Sequence, residues 1–375
     1  MAARGRRRRG MWRPSVAATL VLLAVAACSS GQGAVESPPA VGAPAGGSST
    51  VRPSPSAGMP TAAGSPRANL VPWTGPVEHL FFHTLVIRPG LAFRDRTRGQ
   101  EFRDYFVTVT EFRRILDQLY ANGWTLVDLH KAVAGQVRVP AGRKPFVLSE
   151  DDVNYYSYEH GRGLGSRLVL ANGAVKVEEP ERRGGTKVTD HDLVPMVDEF
   201  VAAHPDFSAE GARGVLAPTG FEGLLGERVE DSAAPDLARR RARVRALAAA
   251  LTSTGWTFAS HSYGHIDFST SSPARARRDV ERWKALADPL LGRTDVFIYP
   301  FGAQPPPTSP VLRMLRNEGY RILCDIDVQP RLRREDRLAV MSRRHIDGLA
   351  LRQQHAALLP LFDTRAVIDA KARGL

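Results

Sequence analysis

Three adjacent carboxylates, Glu150, Asp151 and Asp152, close the apolar run Phe146-Val147-Leu148, which is long enough to be a buried strand. Like charges this close repel, and partial burial raises carboxyl pKa values, so solvent, a basic neighbour or a metal ion must compensate them. About a hundred residues later, His261-Ser262-Tyr263-Gly264-His265 follows a second short apolar segment, residues 256–259. Each group alone has an ordinary explanation: Asp pairs are common at turns and helix starts, and the His spacing recurs by chance. A carboxylate and two imidazoles delivered to the ends of separate strands are instead the donor set of a metal site.

The elements that must position these residues alternate along the chain. Strand-like runs occupy residues 80–87, 124–127, 146–149, 214–217, 256–259, 296–299, 320–324 and 338–342, and helical patterns occupy 193–203, 235–252, 273–287, 310–318 and 364–372. Thr108-Val109-Thr110-Glu111 has capping-box spacing, Phe112, Ile115, Leu116 and Leu119 then recur at helical intervals, and Asn122-Gly123 ends that helix. Asn172-Gly173, between two apolar runs, signals a hairpin beside the acidic cluster. Such alternation predicts an α/β fold with a parallel sheet, either a barrel or an open doubly wound sheet. No Gly-rich phosphate loop follows an early strand, which argues against a nucleotide-binding sheet. In a barrel the loops after the strands share one face. Asp151 and Asp152, His261 and His265, Tyr299-Pro300-Phe301-Gly302, and Arg344-His345 all follow predicted strands and would meet there. His83, within the 80–87 run, reads either as a core histidine, the favoured reading, or as a site residue near a strand end.

These segments resemble the polysaccharide deacetylases, the chitooligosaccharide-deacetylase homology domain. Ser149-Glu150-Asp151-Asp152-Val153 is similar to the first motif of that family, Thr-Phe-Asp-Asp-Gly, and the run Asp-Asp-Val-Asn-Tyr-Tyr resembles a divergent branch of it. His261-Ser262-Tyr263-Gly264-His265 matches the second motif, His-Ser/Thr-x-x-His, and Tyr299-Pro300-Phe301-Gly302 resembles the third. The resemblance implies a distorted (β/α) barrel in which Asp152, His261 and His265 bind a divalent transition metal, with Asp151 as general base. Zinc suits two imidazoles and one carboxylate. Three protein ligands would leave room for water and a substrate carbonyl, as a hydrolytic site requires. The backbone N–H of Phe301, in the segment begun by Tyr299, would stabilise the oxyanion. Glu150 replaces an aromatic residue and Val153 a glycine, and no late histidine motif is evident; His345 takes the proton-donor role by its position after a strand. The implied reaction is removal of N-acetyl groups from amino sugars of a cell-wall or extracellular polysaccharide, peptidoglycan among them. The alternatives are a carbohydrate O-acetyl esterase and a non-catalytic lipoprotein that binds glycan or assists wall assembly.

The 375 residues, 43% of them hydrophobic, suffice for one large domain or two ordinary ones, and the net charge of +12 looks at first like a nucleic-acid signal. Arg4, Arg6, Arg7, Arg8, Arg9 and Arg13, however, all precede the apolar run at 16–27. Cleavage after Ala27 would remove half of that charge, so no nucleic-acid partner is expected. Residues 1–27 have the layout of an export signal, and Val25-Ala26-Ala27-Cys28 resembles a bacterial lipobox, with Cys28 lipidated. Residues 28–70, rich in Gly, Ala, Ser and Pro, read as a disordered tether, and 71–375 as the catalytic domain. The expected location is extracytoplasmic, anchored by lipid to the cell membrane. Cys324 is then the only other cysteine and reads as a small buried hydrophobe. Tyr155, Tyr156 and Tyr158 read either as a sugar-stacking platform or as packing.

Overall fold

The computed structural model describes residues 69–375 apart from Arg182, Arg183 and Asp336. The signal segment 1–27, Cys28 and nearly all of the expected tether lie outside the described residues. The central sheet has nine strands, and seven of them make its closed path: β1 (Glu78–Phe82), β2 (Lys144–Asp151), β3 (Gly214–Ala217), β4 (Trp256–Phe258), β5 (Val296–Ile298), β6 (Ile322–Ile326) and β7 (Leu338–His345), while Trp124–Leu126 pairs with β2 and Leu332–Glu335 with β7 at its margins. The seven pair in parallel in the order β4-β3-β2-β1-β7-β6-β5. The ends of that order meet at Ser260, just past β4. Its N–H donates to Val296 O at 3.0 Å and its carbonyl accepts from Ile298 N–H at 2.9 Å, a parallel bridge that closes the sheet into a barrel. Of the two architectures compatible with the sequence, the chain therefore adopts the distorted (β/α) barrel.

Alternation along the strands sorts side chains between two environments. Val147, Val215, Ala217, Ala259, Ile298, Cys324 and Met341 form one apolar cluster on the inner face. Leu80, Phe82, Phe146, Leu148 and Leu216 face outward into a larger core shared with the surrounding helices. Those helices are α1 (Val109–Ala121), α2 (Leu193–Ala203), α3 (Leu237–Thr254), α4 (Pro273–Leu291) and α5 (Pro310–Asn317). The start of α1 carries both bonds of the capping box, Glu111 N–H to Thr108 Oγ1 at 3.1 Å and Thr108 N–H to Glu111 Oε2 at 2.8 Å. Cys324 is buried and unpaired. No helix among the described residues is long and apolar enough to cross a membrane.

The Asn172-Gly173 turn forms as the sequence predicts, with φ of 51° and 78°, the left-handed pair that a two-residue hairpin requires. A third strand, Thr186–Thr189, extends that hairpin into a small antiparallel sheet. Two expectations change. The helix predicted at 364–372 is two short helices, Thr364–Val367 and Ala370–Arg373, because Asp363 and Asp369 each cap a new start and Asp369 N–H is taken by Glu111. β1 also ends at Phe82 rather than continuing to residue 87, so His83 stands beyond the strand end.

Candidate functional site

The inner face of β2 runs Val147, Ser149, Asp151, which aims Asp151 into the barrel mouth. Asp152 follows in a left-handed conformation, φ 57°, with its N–H bonded to Ala217 O at 3.1 Å. The next residues of this motif each hold something. Buried Asn154 accepts from Thr219 N–H at 2.9 Å and donates to Thr219 O and Phe221 O at 3.0 and 3.2 Å, which fixes the loop after β3. The Tyr156 hydroxyl donates to Asp152 Oδ1 at 2.8 Å. Tyr155 is buried and donates to Asp192 at 2.7 Å. The tyrosines at 155 and 156 are thus fixed structural donors rather than a free platform.

After β4, His261 Nδ1 lies 2.9 Å from Ile298 O. A proton shared with that carbonyl must sit on Nδ1, which leaves the Nε2 lone pair facing the mouth. The loop from His261 to His265 is tight, with Ser262 and His265 at φ 64° and 48°. It is held by Asp279 of α4, whose two oxygens accept from Tyr263 and Gly264 N–H at 2.7 and 2.8 Å. One donor atom each from Asp152, His261 and His265 falls within 4.8 Å of the others. His265 Nε2 is 3.8 Å from Asp152 Oδ2, too far for a hydrogen bond but a span that one cation with bonds of about 2.0–2.2 Å can bridge. Burial lowers the His261 imidazole to about 4, despite the opposing pull of Asp151 and Asp152, so it is neutral near pH 7 as a ligand must be. Two imidazoles and one carboxylate suit zinc or a similar transition ion.

Asp151 lies beside this set, its Oδ2 3.9 Å from His261 Nε2. Burial by itself would raise its carboxyl. Arg343 outweighs that effect with a two-pronged pair, Nη1 to Oδ1 at 2.7 Å and Nη2 to Oδ2 at 2.9 Å, and with His261 and His83 holds Asp151 well below the usual carboxylate range. The guanidinium is fully buried, sits 4.0 Å over the Phe81 ring, and also reaches Ser149 Oγ, which bonds to His79. Sequence reasoning missed Arg343. The signal was present: in a strand through residue 345, alternation from inward-facing Met341 puts 343 and 345 on the inner face and Arg344 outside.

Of the two readings of His83, the structure favours the site over the core: the ring faces the mouth with Nε2 3.9 Å from Asp152 Oδ2. Its Nδ1 lies 3.2 Å from Nε2 of His345, whose Nδ1 is 3.1 Å from Asp347 Oδ2. The early end of β1 explains this placement. His345 is the last residue of β7 rather than a loop residue, its ring is stacked on Phe81 at 4.3 Å, and His83 stands between it and Asp152. Burial lowers both imidazoles and raises Asp347 to about 7.

Phe301 takes a left-handed conformation, φ 59°, with its side chain 60% exposed and its ring 4.4 Å from that of His265. Tyr299 does not reach the mouth. Its side chain is fully buried against Phe268 and Phe297 on the outer side of the barrel, because strand alternation turns Ile298 before it inward, so a direct contact between the Tyr299 side chain and substrate is ruled out. Glu150 points out of the barrel, buried, with neither carboxyl oxygen hydrogen-bonded; its neighbours Asp192, Asp151 and Glu159 are acidic, and burial followed by these charges raises its pKa strongly. Val153 is buried in the outer core. Of nine left-handed non-glycine residues described, Asp152, Tyr155, Glu222, Leu225, Ser262, His265 and Phe301 lie in the loops after β2, β3, β4 and β5. Such conformations cost about 1–3 kcal/mol each and concentrate where side chains must be aimed.

No protein-family profile matches this sequence, and no curated protein does. Solved structures do. The deacetylase PplD of Streptococcus pyogenes, in complex with acetate, is 13% identical over 73% of this chain and 93% of that one, with a TM-score of 0.44. IcaB from Ammonifex degensii is 14% identical over 76% and 97%, with a TM-score of 0.43. A de-N-acetylase from Aggregatibacter actinomycetemcomitans is 14% identical over 73% and 96%, with a TM-score of 0.44. At these values the likeness assigns no role to any residue.

Proposed function

We propose that this protein is a metal-dependent hydrolase that removes N-acetyl groups from amino sugars of a cell-wall or extracellular polysaccharide, on a barrel of the polysaccharide deacetylase type. The observation that carries this reading is the convergence of Asp152, His261 and His265 beside a buried Asp151 that Arg343 keeps ionised. Together with the order of the three motifs along the chain, it favours hydrolysis of an acyl group over simple binding. Of the three departures that favour a binding-only lipoprotein, Glu150, Val153 and the missing late histidine motif, the first two have side chains outside the mouth and lend that alternative no support. The export signal, Cys28 and the Gly/Ala/Ser/Pro tether support a lipid-anchored, extracytoplasmic location.

A divalent ion held by Asp152, His261 and His265, zinc by the donor set, would polarise the acyl carbonyl and acidify water. Asp151 takes the proton of the attacking water, and Arg343 fixes the orientation of both its oxygens. The Phe301 N–H, which makes no hydrogen bond among the described residues, donates to the developing oxyanion. His83, which faces Asp152 and is backed by His345 and Asp347, would give the leaving amine its proton.

The test is acetate release from N-acetylglucosamine oligomers and peptidoglycan, with acetylated xylan as the ester comparison, beside metal content. Asp151→Asn should keep its metal and lose about 10²–10⁴-fold in turnover, whereas His261→Ala with His265→Ala should lose the metal. An Asp151→Asn protein as active as the parent removes the assignment of the base; release from xylan alone makes the protein an esterase.

A further inference from the structure

The outer ring of helices carries the protein's positive charge unevenly. α3 holds five arginines and no acid, and α4 holds four arginines and a lysine against three acids. Together they contribute a net +7, so the rest of the chain after Ala27 is close to neutral. Part of that charge is answered. Arg239 and Arg240 pair with Asp236, Arg243 with Glu227, and Arg277 and Lys284 with Glu318. Arg241, Arg245, Arg275, Arg278 and Arg282 have no carboxylate within 4.0 Å among the described residues.

The paired residues locate the unpaired ones. Glu227, which also binds Arg167 of the hairpin, marks the side of α3 that faces the hairpin. At about 100° per residue, Arg241 and Arg245, two residues to either side of Arg243, project from the opposite side. Glu318, just past α5, marks the α5 side of α4, and Arg275 and Arg282, two residues before Arg277 and Lys284, project away from it. Because α3 and α4 pack against each other, these four arginines line the two walls of the groove between them, with Arg278 on its outer lip. Arg282 also lies 3.8 Å over the ring of Tyr263, in the loop between His261 and His265, which sets the upper end of the groove beside the mouth. Of the acids of α4 only Asp279 shares this side, and its two oxygens are taken by Tyr263 and Gly264 N–H. Glu281 and Asp288, four residues after Arg277 and Lys284, lie towards α5. Along each helix the like charges three or four residues apart repel, a cost that a bound anion removes.

We propose that the α3–α4 groove is a docking face for a phosphodiester polymer, of the kind an exported protein meets outside the membrane. Guanidinium forks match phosphate oxygens and keep their charge at every working pH. All five groups donate and none accepts, which suits a chain whose linking groups only accept; a polypeptide acid brings amide N–H groups that would find no partner on these side chains. A bilayer fits less well. The exposed residues beside the arginines include Ala242, Ala246, Ala274 and Ala285, and neither helix exposes a Trp, Phe or Leu to enter a lipid surface. The run from Arg275 to Arg282 extends about 10 Å along α4, long enough to meet more than one charge of such a chain.

This face goes beyond the deacetylase reading and is tested without turnover. Full-length protein is treated with phenylglyoxal, which modifies free arginines, with and without linear polyphosphate, and each site is read by mass spectrometry. Reading single sites keeps the arginines of residues 4–13 apart from those of the groove. With polyphosphate present, Arg245, Arg275, Arg278 and Arg282 should react about tenfold more slowly, while Arg239 and the exposed Arg113 of α1 keep their rates. For five contacts the affinity read from that protection should fall about a hundredfold from roughly 50 to 200 mM salt. Arg241→Gln with Arg245→Gln, which keeps good helix formers outside the core, should raise the polyphosphate needed to protect Arg278 and Arg282 about tenfold. Equal protection of Arg113 and the groove, or protection of neither, overturns the proposal. So does polyglutamate that protects as well at the same charge, or phosphatidylglycerol vesicles that protect better than polyphosphate. Acetate release is measured apart. A protein that docks polyphosphate but releases no acetate keeps this face and loses the deacetylase reading, and one that deacetylates without protection loses this face alone.

Discussion

Glu150 and Asp151 are chain neighbours with the same functional group, and their surroundings drive them to opposite protonation states. Asp151 faces inward onto a fixed guanidinium; Glu150 faces outward among carboxylates with no cation to meet it. Because its folded pKa is raised, Glu150 stays protonated while the unfolded chain ionises, so it opposes folding increasingly as pH rises above its unfolded value of about 4.5. Below that pH both states are protonated and the penalty vanishes. Glu150→Gln, equal in shape and always neutral, should raise Tm by a few degrees at pH 7–8 and leave it unchanged near pH 4; equal melting temperatures at both pH values would remove the argument. For Asp151 the sign is reversed. Arg343→Lys keeps the charge but loses the paired geometry, so Asp151, the proposed base, becomes harder to ionise and the acid limb of kcat/KM should move to higher pH, with turnover about tenfold lower. A merely structural arginine would lower activity without moving that limb. The acidic run was readable from sequence because consecutive carboxylates after an apolar strand are unusual. Arg343 was not, since a lone arginine beside another reads as surface until the strand is known to continue through it.

At the scale of the element, the His-x-x-x-His segment is a loop whose shape comes from a helix some distance along the chain. Asp279 of α4 receives both central amides of that loop, and Trp283, one turn further on, donates its indole N–H to Pro218 O at 2.9 Å and so fixes the loop after β3 as well. One helix therefore sets the position of two mouth loops, and the left-handed turns at Ser262 and His265 persist because Asp279 holds the amides between them. Asp279→Ala should leave the fold intact and weaken metal affinity by about ten- to a hundredfold, the usual effect of losing a group that orients a ligand. Equilibrium dialysis with zinc measures this, and unchanged affinity would mean that the loop holds its own shape. Helical periodicity revealed α4 but not this role, because a single Asp on a helix surface looks like any solvated charge. The strand positions were readable for the converse reason: buried parallel strands are short apolar runs whichever protein they belong to. Strand ends were less so, and the end of β1 at Phe82 is what sets His83 at the mouth rather than in the core.

For the whole molecule, the barrel is not equally strong around its circumference. Between β2 and β1 five residue pairs run in register, and between β6 and β7 another five, but β4 meets β5 only through the bridge at Ser260. Side chains add two links across that seam, His261 to Ile298 O and the Thr294 hydroxyl to Phe258 O at 2.7 Å. The seam is thus the place where local opening should be easiest, since few backbone bonds must break there. It is also where His261, a proposed metal ligand, is anchored. An ion held by Asp152 of the β2 end and His261 and His265 of the β4 end would fix the β4 side in place, and the His261 ring would carry that restraint to β5. Amide hydrogen exchange of the full-length protein, with and without zinc, separates this from a uniform effect. Residues 259–265 and 296–303 should exchange sooner than β2 and β7 in the metal-free protein, and zinc should slow those two segments more than any other part of the barrel. Equal protection on every strand, or slowing confined to residues 259–265, would show that the seam is no weaker than the rest or that the His261 bond does not couple its two sides.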